Sequence, residues 1–265
     1  MIGSIVMVVV IFMAIFAPLI APYDPVYDAD LMVAEESPSL SYIFGTDEHG
    51  RDIFSRVVYG ARISLSVGII TQLINSILGI VLGLIAGYFG KWVDDLIMGL
   101  TNIMLAIPSI IFALAIMALL GPGLINVFIA LGFTNWSYTC RIVRSQTLST
   151  KNLNYINAAR ALSYSHFNIM FTQILPNIVG PILVIATLGA SGAILIEASL
   201  SFLGLGTQPP MPSWGGMLAT AREQLFTAPW ISIFPGMAIF ITVLGLNLLG
   251  DGLRDVFDPH MSQKK

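Results

Sequence analysis

Five stretches of this chain contain no aspartate, glutamate, lysine or arginine: Met1–Tyr23, Ile63–Gly90, Leu96–Cys140, Asn177–Ile196 and Gln224–Gly250. Runs of this length constrain the fold more than any other feature. The hydrocarbon core of a bilayer is about 30 Å thick, and a helix rising ~1.5 Å per residue needs roughly 20 apolar residues to cross it. Leu96–Cys140 is long enough to cross twice, with Gly121-Pro122-Gly123 as the reversal. The pattern predicts an all-α integral membrane protein with six transmembrane helices, at about 2–20, 63–88, 96–119, 124–145, 177–203 and 231–250. Composition agrees: 56% of residues are hydrophobic and only 10% are charged, where a soluble domain carries about a quarter. A net charge of −3 offers no basic field for nucleic acid.

The first run reads as a retained helix rather than a cleaved signal peptide. No lysine or arginine precedes it, and Pro18 and Pro22 follow. With the N-terminus inside, the inner segments hold Lys91, Arg141, Arg144, Lys151, Arg160, Arg254, Lys264 and Lys265, and the outer ones hold Arg51, Arg56, Arg62 and Arg222. That modest bias follows the positive-inside rule. It predicts cytoplasmic termini, external loops at 21–62 and 204–230, and a cytoplasmic segment at 153–175. Within the second loop, Gly216–Phe226 reads as a short surface helix. Trp92, Trp136, Trp214 and Trp230 fall near the proposed span ends, where interfacial anchors sit.

Inside the spans, a few residues stand out. Gln72, Asn75, Ser76, Gly79, Gly83 and Gly87 recur every three or four positions and share one helix face. The three glycines invite close approach of a second helix. Gln72 and Asn75 are candidates for a polar translocation path. Pro108 and Pro235 should kink their helices, and Pro181 lies near the start of the fifth. Glu197 is the one acid well inside an apolar run. It is a candidate gate or path residue, or else a carboxylate at the outer boundary paired with an arginine of an external loop.

Catalytic patterns are missing. There is no G-x-x-x-x-G-K-[ST], H-E-x-x-H or G-x-S-x-G. The three histidines, His49, His166 and His260, are far apart, and Cys140 is single. Asp47-Glu48-His49 with Asp52 reads as a hydrogen-bonded loop rather than a metal site. An integral membrane enzyme would need clustered His, Asp or Cys. A stand-alone channel or secondary transporter would call for inverted repeats and more intramembrane charge.

The stretch "NYINAARALSYSHFNIMFTQILPN" (154–177) is helical in composition but too polar to cross a membrane. Ala158, Ala159, Ala161 and Leu162 favour helix. Ser163–Ser165 interrupts it, and Ser165 can cap a second short helix that brings Phe167, Ile169, Met170 and Phe171. Pro176 disfavours helix at Leu175 and restarts the chain. The expectation is two short helices joined at a bend, suited either to a groove of another protein or to the lipid surface.

This stretch resembles the EAA loop of bacterial ABC importer permeases, matching it at Ala158, Ala159, Leu175 and Pro176, with Asn157 in place of the motif's Glu, Ser163 in place of its Gly and Gln173 where Ile is expected. "FGTDEHGRDIFSRVVYGARISL" (44–65), "ILIEASLSFLGLGTQPPMPSWGGML" (194–218) and "GDGLRDVFDP" (250–259) look like the C-type permease subunit of dipeptide, oligopeptide and nickel transporters. The resemblance implies a type I ABC importer permease fold in the bacterial cytoplasmic membrane, non-catalytic and binding no cofactor itself. It implies a homologous second permease, two cytoplasmic ATPases carrying ATP and Mg, and an external substrate-binding protein as partners. The cargo would be peptides, or alternatively nickel or a metal chelate. The coupling helix would dock through Asn157, Ala158, Ala159, Arg160, Ala161, Leu162, Ser163, Phe167, Leu175 and Pro176. A large charged residue at Ala159 would then abolish uptake without blocking membrane insertion.

Overall fold

The computed structural model describes residues 1–257, so Lys264, Lys265, His260 and the end of the 250–259 match lie outside the described residues. Among the described residues the architecture is helical, with one isolated antiparallel bridge between Thr46 and Asp52.

Three helical stretches are long and apolar enough to cross a bilayer alone: Ile53–Phe89, His166–Phe202 and Trp230–Phe257. The first is α3, which follows α1 (Ile2–Ile15) and α2 (Ala17–Ile20). Helices α1 and α2 are nearly continuous, because the Phe16 N–H donates to Phe12 O and the Ile20 N–H to Phe16 O. Helix α3 (Ile53–Phe89) starts ten residues before the expected boundary at 63. Charge did not stop it. The Asp52 carboxylate caps it by accepting from the Ser55 N–H at 2.7 Å. Arg56 is buried but held 3.3 Å from Asp47, and Arg62 is exposed.

The expected single span at 96–119 is two helices, α4 (Lys91–Ala106) and α5 (Ser109–Leu120), bent by 88°. Pro108 does more than kink. It pushes Ile107 to an extended backbone (φ −94°, ψ 123°), which ends α4 outright. The span expected at 124–145 is also interrupted. Helix α6 (Leu124–Gly132) ends, and α7 (Trp136–Thr150) restarts after Phe133–Asn135.

In the fifth region, Pro176 does not restart the chain. Helix α9 (His166–Asn168) runs through a π turn (Ile169–Ile174) and a 3₁₀ turn (Leu175–Ile178) into α10 (Val179–Phe202). Leu175 is helical, and its N–H reaches back five residues to Met170 O. The π turn changes the hydrogen-bond register ahead of the proline, which lacks an N–H. The Asn177 side-chain amide donates to Gln173 O at 2.6 Å, the carbonyl an α-helical Asn177 N–H would have taken. Pro181 sits in the first turn of α10, where no intrahelical donor is needed. Helix α12 (Trp230–Phe257) continues past 250 and contains Pro235.

Two tryptophans depart from the expected interfacial role. Trp136 is buried beside Cys140 and Ile97. Trp214 opens the short helix α11 (Trp214–Thr220) and is fully buried, so α11 packs inward rather than lying on the surface.

Candidate functional site

The stretch 154–163 forms a bent peg. Helix α8 (Asn154–Ala161) is followed by a turn at Ser163, whose φ of +58° lies in the left-handed region. Glycine adopts that conformation without steric cost, and serine does not. The resembled motif's glycine corresponds to this residue, so the backbone needs its special angle here with or without glycine. Ser165 then caps α9 by accepting the Asn168 N–H at 3.2 Å.

The peg has two sides. Ile156 and Ala159, three residues apart, point inward and are buried against Leu84, Tyr88, Val143, Ile169, Met170 and Ile174. Asn157, Ala158, Arg160, Ala161, Leu162 and Ser163 are exposed, as are Phe167 and Pro176, while Leu175 is half-buried. Ala159 therefore belongs to the peg's root and not to its outer surface. A charged residue there would attack the fold first.

Polar contacts fasten the root to the end of α3. The Arg160 guanidinium lies 5.4 Å from the Tyr88 ring centroid. The Tyr88 hydroxyl is 2.9 Å from His166 Nδ1. The Lys151 ammonium donates to Gly87 O at 2.7 Å, covering the end of α3, and the Arg144 guanidinium pairs with Asp94 at the start of α4. None of these contacts follows from local sequence. Their signal is the cluster of basic residues at 141–160.

Above the peg runs the seam of α3 and α7. A Cβ on Gly79 would stand 2.5 Å from Thr139 Cβ, one on Gly83 2.6 Å from Cys140 O, and one on Gly87 2.6 Å from Thr147 Cβ. Nothing larger than glycine fits at this spacing. Cys140 is buried on this seam and accepts from the Thr101 hydroxyl.

Gln72 and Asn75 are buried on the same face of α3. Asn75 is 1% exposed, and both ends of its amide are engaged: Nδ2 donates to Leu131 O at 3.2 Å, and Oδ1 accepts the Asn135 N–H at 3.1 Å. It therefore bridges the break between α6 and α7, where irregular backbone needs protein partners. Gln72 donates to Ser76 Oγ and lies over Gly189 of α10, whose Cβ would meet Gln72 Oε1 at 2.1 Å. In this structure both are packing groups between helices.

Glu197, one turn from the end of α10, is fully buried. Its Oε1 accepts from the Ser201 hydroxyl at 2.7 Å, and no lysine or arginine pairs with it among the described residues. Close by, Trp214 is the keystone of the second loop. Its Nε1 donates to Val57 O at 2.9 Å and its N–H to Ser64 Oγ at 3.3 Å. Gly215 lies so close to α10 that a Cβ would be 2.5 Å from Ala198 Cα. The Ser-Trp-Gly-Gly run at 213–216, a cap followed by glycines, was the available signal for this corner.

Asp47, Glu48 and His49 come within 4.8 Å of one another. Asp47 Oδ2, however, lies 2.8 Å from Arg51 Nε and 3.3 Å from Arg56 Nε, and Arg51 also reaches Glu48. Two guanidinium groups occupy the place of a cation, so the cluster works as a salt-bridged loop.

Residues 79–263 match the family described as "Binding-protein-dependent transport system inner membrane component", and residues 1–38 match "N-terminal TM domain of oligopeptide transport permease C". The dipeptide transport system permease protein DppC of Alkalihalophilus pseudofirmus is 48% identical over 98% of this chain and 85% of its own length. The di/tripeptide permease DppC of Pseudomonas aeruginosa is 44% identical over 98% and 87%, and the glutathione transport permease GsiD of Pectobacterium atrosepticum is 43% identical over 98% and 86%. Among solved structures, a chain of the inward-facing MetNI methionine ABC transporter shares the fold at a TM-score of 0.62 and 17% identity, covering 77% of this chain and 96% of that one. With sequence shared across almost its whole length and a helix order shared with a transporter, this chain belongs to the family of binding-protein-dependent transport system inner membrane components.

Proposed function

We propose that this chain is one of two homologous permease subunits of an ATP-driven importer, forming half of the path by which peptides cross the bacterial cytoplasmic membrane. Two cytoplasmic ATPase subunits hold ATP and Mg, and an external binding protein delivers the cargo. The chain itself is non-catalytic and needs no cofactor. Both termini and the peg face the cytoplasm. The quoted relatives are named for dipeptides, di/tripeptides and glutathione, which favours peptides over nickel or a metal chelate.

The observation that carries this reading is the two-sided peg. Its inner face is cemented to α3 and α7, and its outer face presents low residues flanked by Arg160 and Leu162. A helix so built transmits a push rather than absorbing one. It also suits a cleft in another protein better than lipid, because Asn157, Ala158 and Ala161 on the free face offer lipid little apolar bulk. Differential binding of nucleotide and cargo would bias the packed bundle between arrangements.

The test separates face from root. Ala161→Arg inserts and melts normally but loses co-purifying ATPase and uptake. Ala159→Arg loses thermal stability before anything else. Normal ATPase association and full uptake by Ala161→Arg would remove the docking role.

A further inference from the structure

Helices α1, α3 and α12 leave a cavity of about 550 Å³ between them. Val9 and Met13 form its α1 wall, Val58 stands on its α3 wall, and Met237 and Ile241 stand on its α12 wall. One end, beside the starts of α3 and α12, is bounded by aromatic rings. Phe44 stacks on Phe234 with centroids 3.9 Å apart and planes 2° apart, and Phe54 meets Phe44 edge-on at 5.1 Å. The loop that carries Phe44 is pinned by Trp230, whose Nε1 donates to Thr46 O at 3.2 Å.

Water has little to hold it in this space. No charged residue lines the cavity, and its two polar side chains are turned to other ends: Trp214 spends its Nε1–H on Val57 O at 2.9 Å, and Thr242 is fully buried. A buried water needs about two to four polar partners, so the cavity is dry. It is also more than three times the size of the ~150 Å³ apolar cavity that holds a benzene. A void so large would strip its lining of packing partners, so hydrocarbon belongs in it.

The surroundings decide which hydrocarbon. The lining runs into exposed apolar surface: Val9 and Met237 are themselves exposed, as are Val8 and Phe12 on α1 and Phe240 and Leu244 on α12. Neither α1 nor α12 as far as Gly250 carries an aspartate, glutamate, lysine or arginine. Such a surface lies in the hydrocarbon layer of the bilayer. A second helix does not fit. A cylinder about 10 Å across would fill 550 Å³ in about 7 Å of its length, little more than one turn. An acyl chain is narrower than a helix and bends at every bond, so it can follow a slot between three helices. We propose that this cavity is a lipid site that holds one acyl chain of a membrane phospholipid, which completes the packing of α1 against α12. The site depends neither on the cargo nor on the ATPases proposed above.

The test uses the full chain, purified with its accompanying subunits and reconstituted with a phosphatidylethanolamine carrying a diazirine on one acyl chain. Bulk lipid is washed away in mild detergent before illumination, and adducts are mapped by peptide mass spectrometry. Retained label is expected on Val9, Met13, Met237 and Ile241, and not on Val8 or Phe240, which only bulk lipid reaches. Met13→Trp and Met237→Trp fill the slot from opposite walls. Each should cut the retained label about tenfold, the loss expected when roughly two methylenes are displaced. Val8→Trp, at an exposed residue off the slot, should leave it unchanged. The wash should also lower the melting temperature of the parent more than that of the filled variants. A variant that fails to fold shows no transition, and the parent's own label and shift then decide. Uniform label on lining and flanking residues, label that survives both filling variants, or a parent whose melting ignores the wash would each overturn the proposal. So would cavity label from a diazirine fatty acid but not from the phospholipid, or a crosslink from Val9→Cys to another subunit. No uptake is measured, so such a failure would leave the permease reading standing.

Discussion

Asn75→Leu, compared with Gln72→Met, tests whether buried amides on α3 hold the fold or wait for cargo. Asn75→Leu keeps the branching of the side chain and Gln72→Met roughly its length, so neither opens a large cavity. They differ in what they strand. Without Asn75, the Asn135 N–H loses its acceptor, while Leu131 O keeps the Thr134 N–H at 3.3 Å. One part-buried backbone donor is thus orphaned, for which the full buried penalty of about 1–3 kcal/mol is an upper bound. Side-chain hydrogen bonds within membranes measure lower, averaging ~0.6 and reaching ~1.7 kcal/mol, because the unfolded reference finds partners too. The expected loss is therefore about 1–2 kcal/mol, or a melting-point drop of about 2–8 °C for a chain of this size. Gln72 donates only to Ser76 of its own helix, so Gln72→Met should cost less than about 1 kcal/mol. Melting followed by tryptophan fluorescence in nanodiscs reads both. Equal shifts, or an Asn75→Leu variant as stable as the parent, would refute the claim that Asn75 bridges α6 and α7.

Two further outcomes follow from the packing. Gly83→Val must push α3 from α7, since even a Cβ would stand 2.6 Å from Cys140 O; it should cost about 1–3 kcal/mol or more and reduce monodisperse protein in size-exclusion chromatography. Gly99→Val, with nothing within 4 Å of its Cβ, is the control that should not. Trp214→Ala should cost about 3–5 kcal/mol and open the 204–213 loop to proteolysis, and a digestion pattern like the parent's would contradict the keystone role.

How much of this could be read in the sequence depended on what kind of physics set each feature. The face of α3 bearing Gly79, Gly83 and Gly87 was legible because helical periodicity is a property of the segment alone. Its partner, α7, was not, because periodicity names a face without naming what covers it. The same gap explains Ala159. A run of alanines carries little facing information, and only the spacing of Ile156 with Ala159, set beside Ile169 and Met170, hinted that one alanine belongs inside. The Ser165 cap was legible as local hydrogen-bond chemistry. The fate of the chain at Pro108 and Pro176 was not. Both prolines forbid the same backbone bond, yet one ends its helix at 88° and the other is absorbed by a π turn and an asparagine side chain. What decides between them is whether neighbouring groups can take up the freed carbonyl. Asn75 stood out for its polarity as a candidate path residue, but the break it bridges, at 133–135, is silent in a hydropathy pattern.

These contacts give α3 a mechanical character that neither end shows by itself. Its 37 residues make a rod about 55 Å long at ~1.5 Å per residue. At one end Asp52 caps it and the Trp214 corner grips it through Val57 and Ser64. Along its last third the glycine seam locks it to α7. At the other end Tyr88 touches both halves of the bent peg, Arg160 on α8 and His166 on α9. Close-packed interfaces of this kind shift between discrete arrangements rather than stretching. On the docking proposed above, a push on the peg's outer face would reach the end of α3 through Tyr88, and through α3 the loop that Trp214 holds. The strained angle at Ser163 fits this description, because a bend fixed in one conformation hands on a displacement that a freely jointed turn would lose.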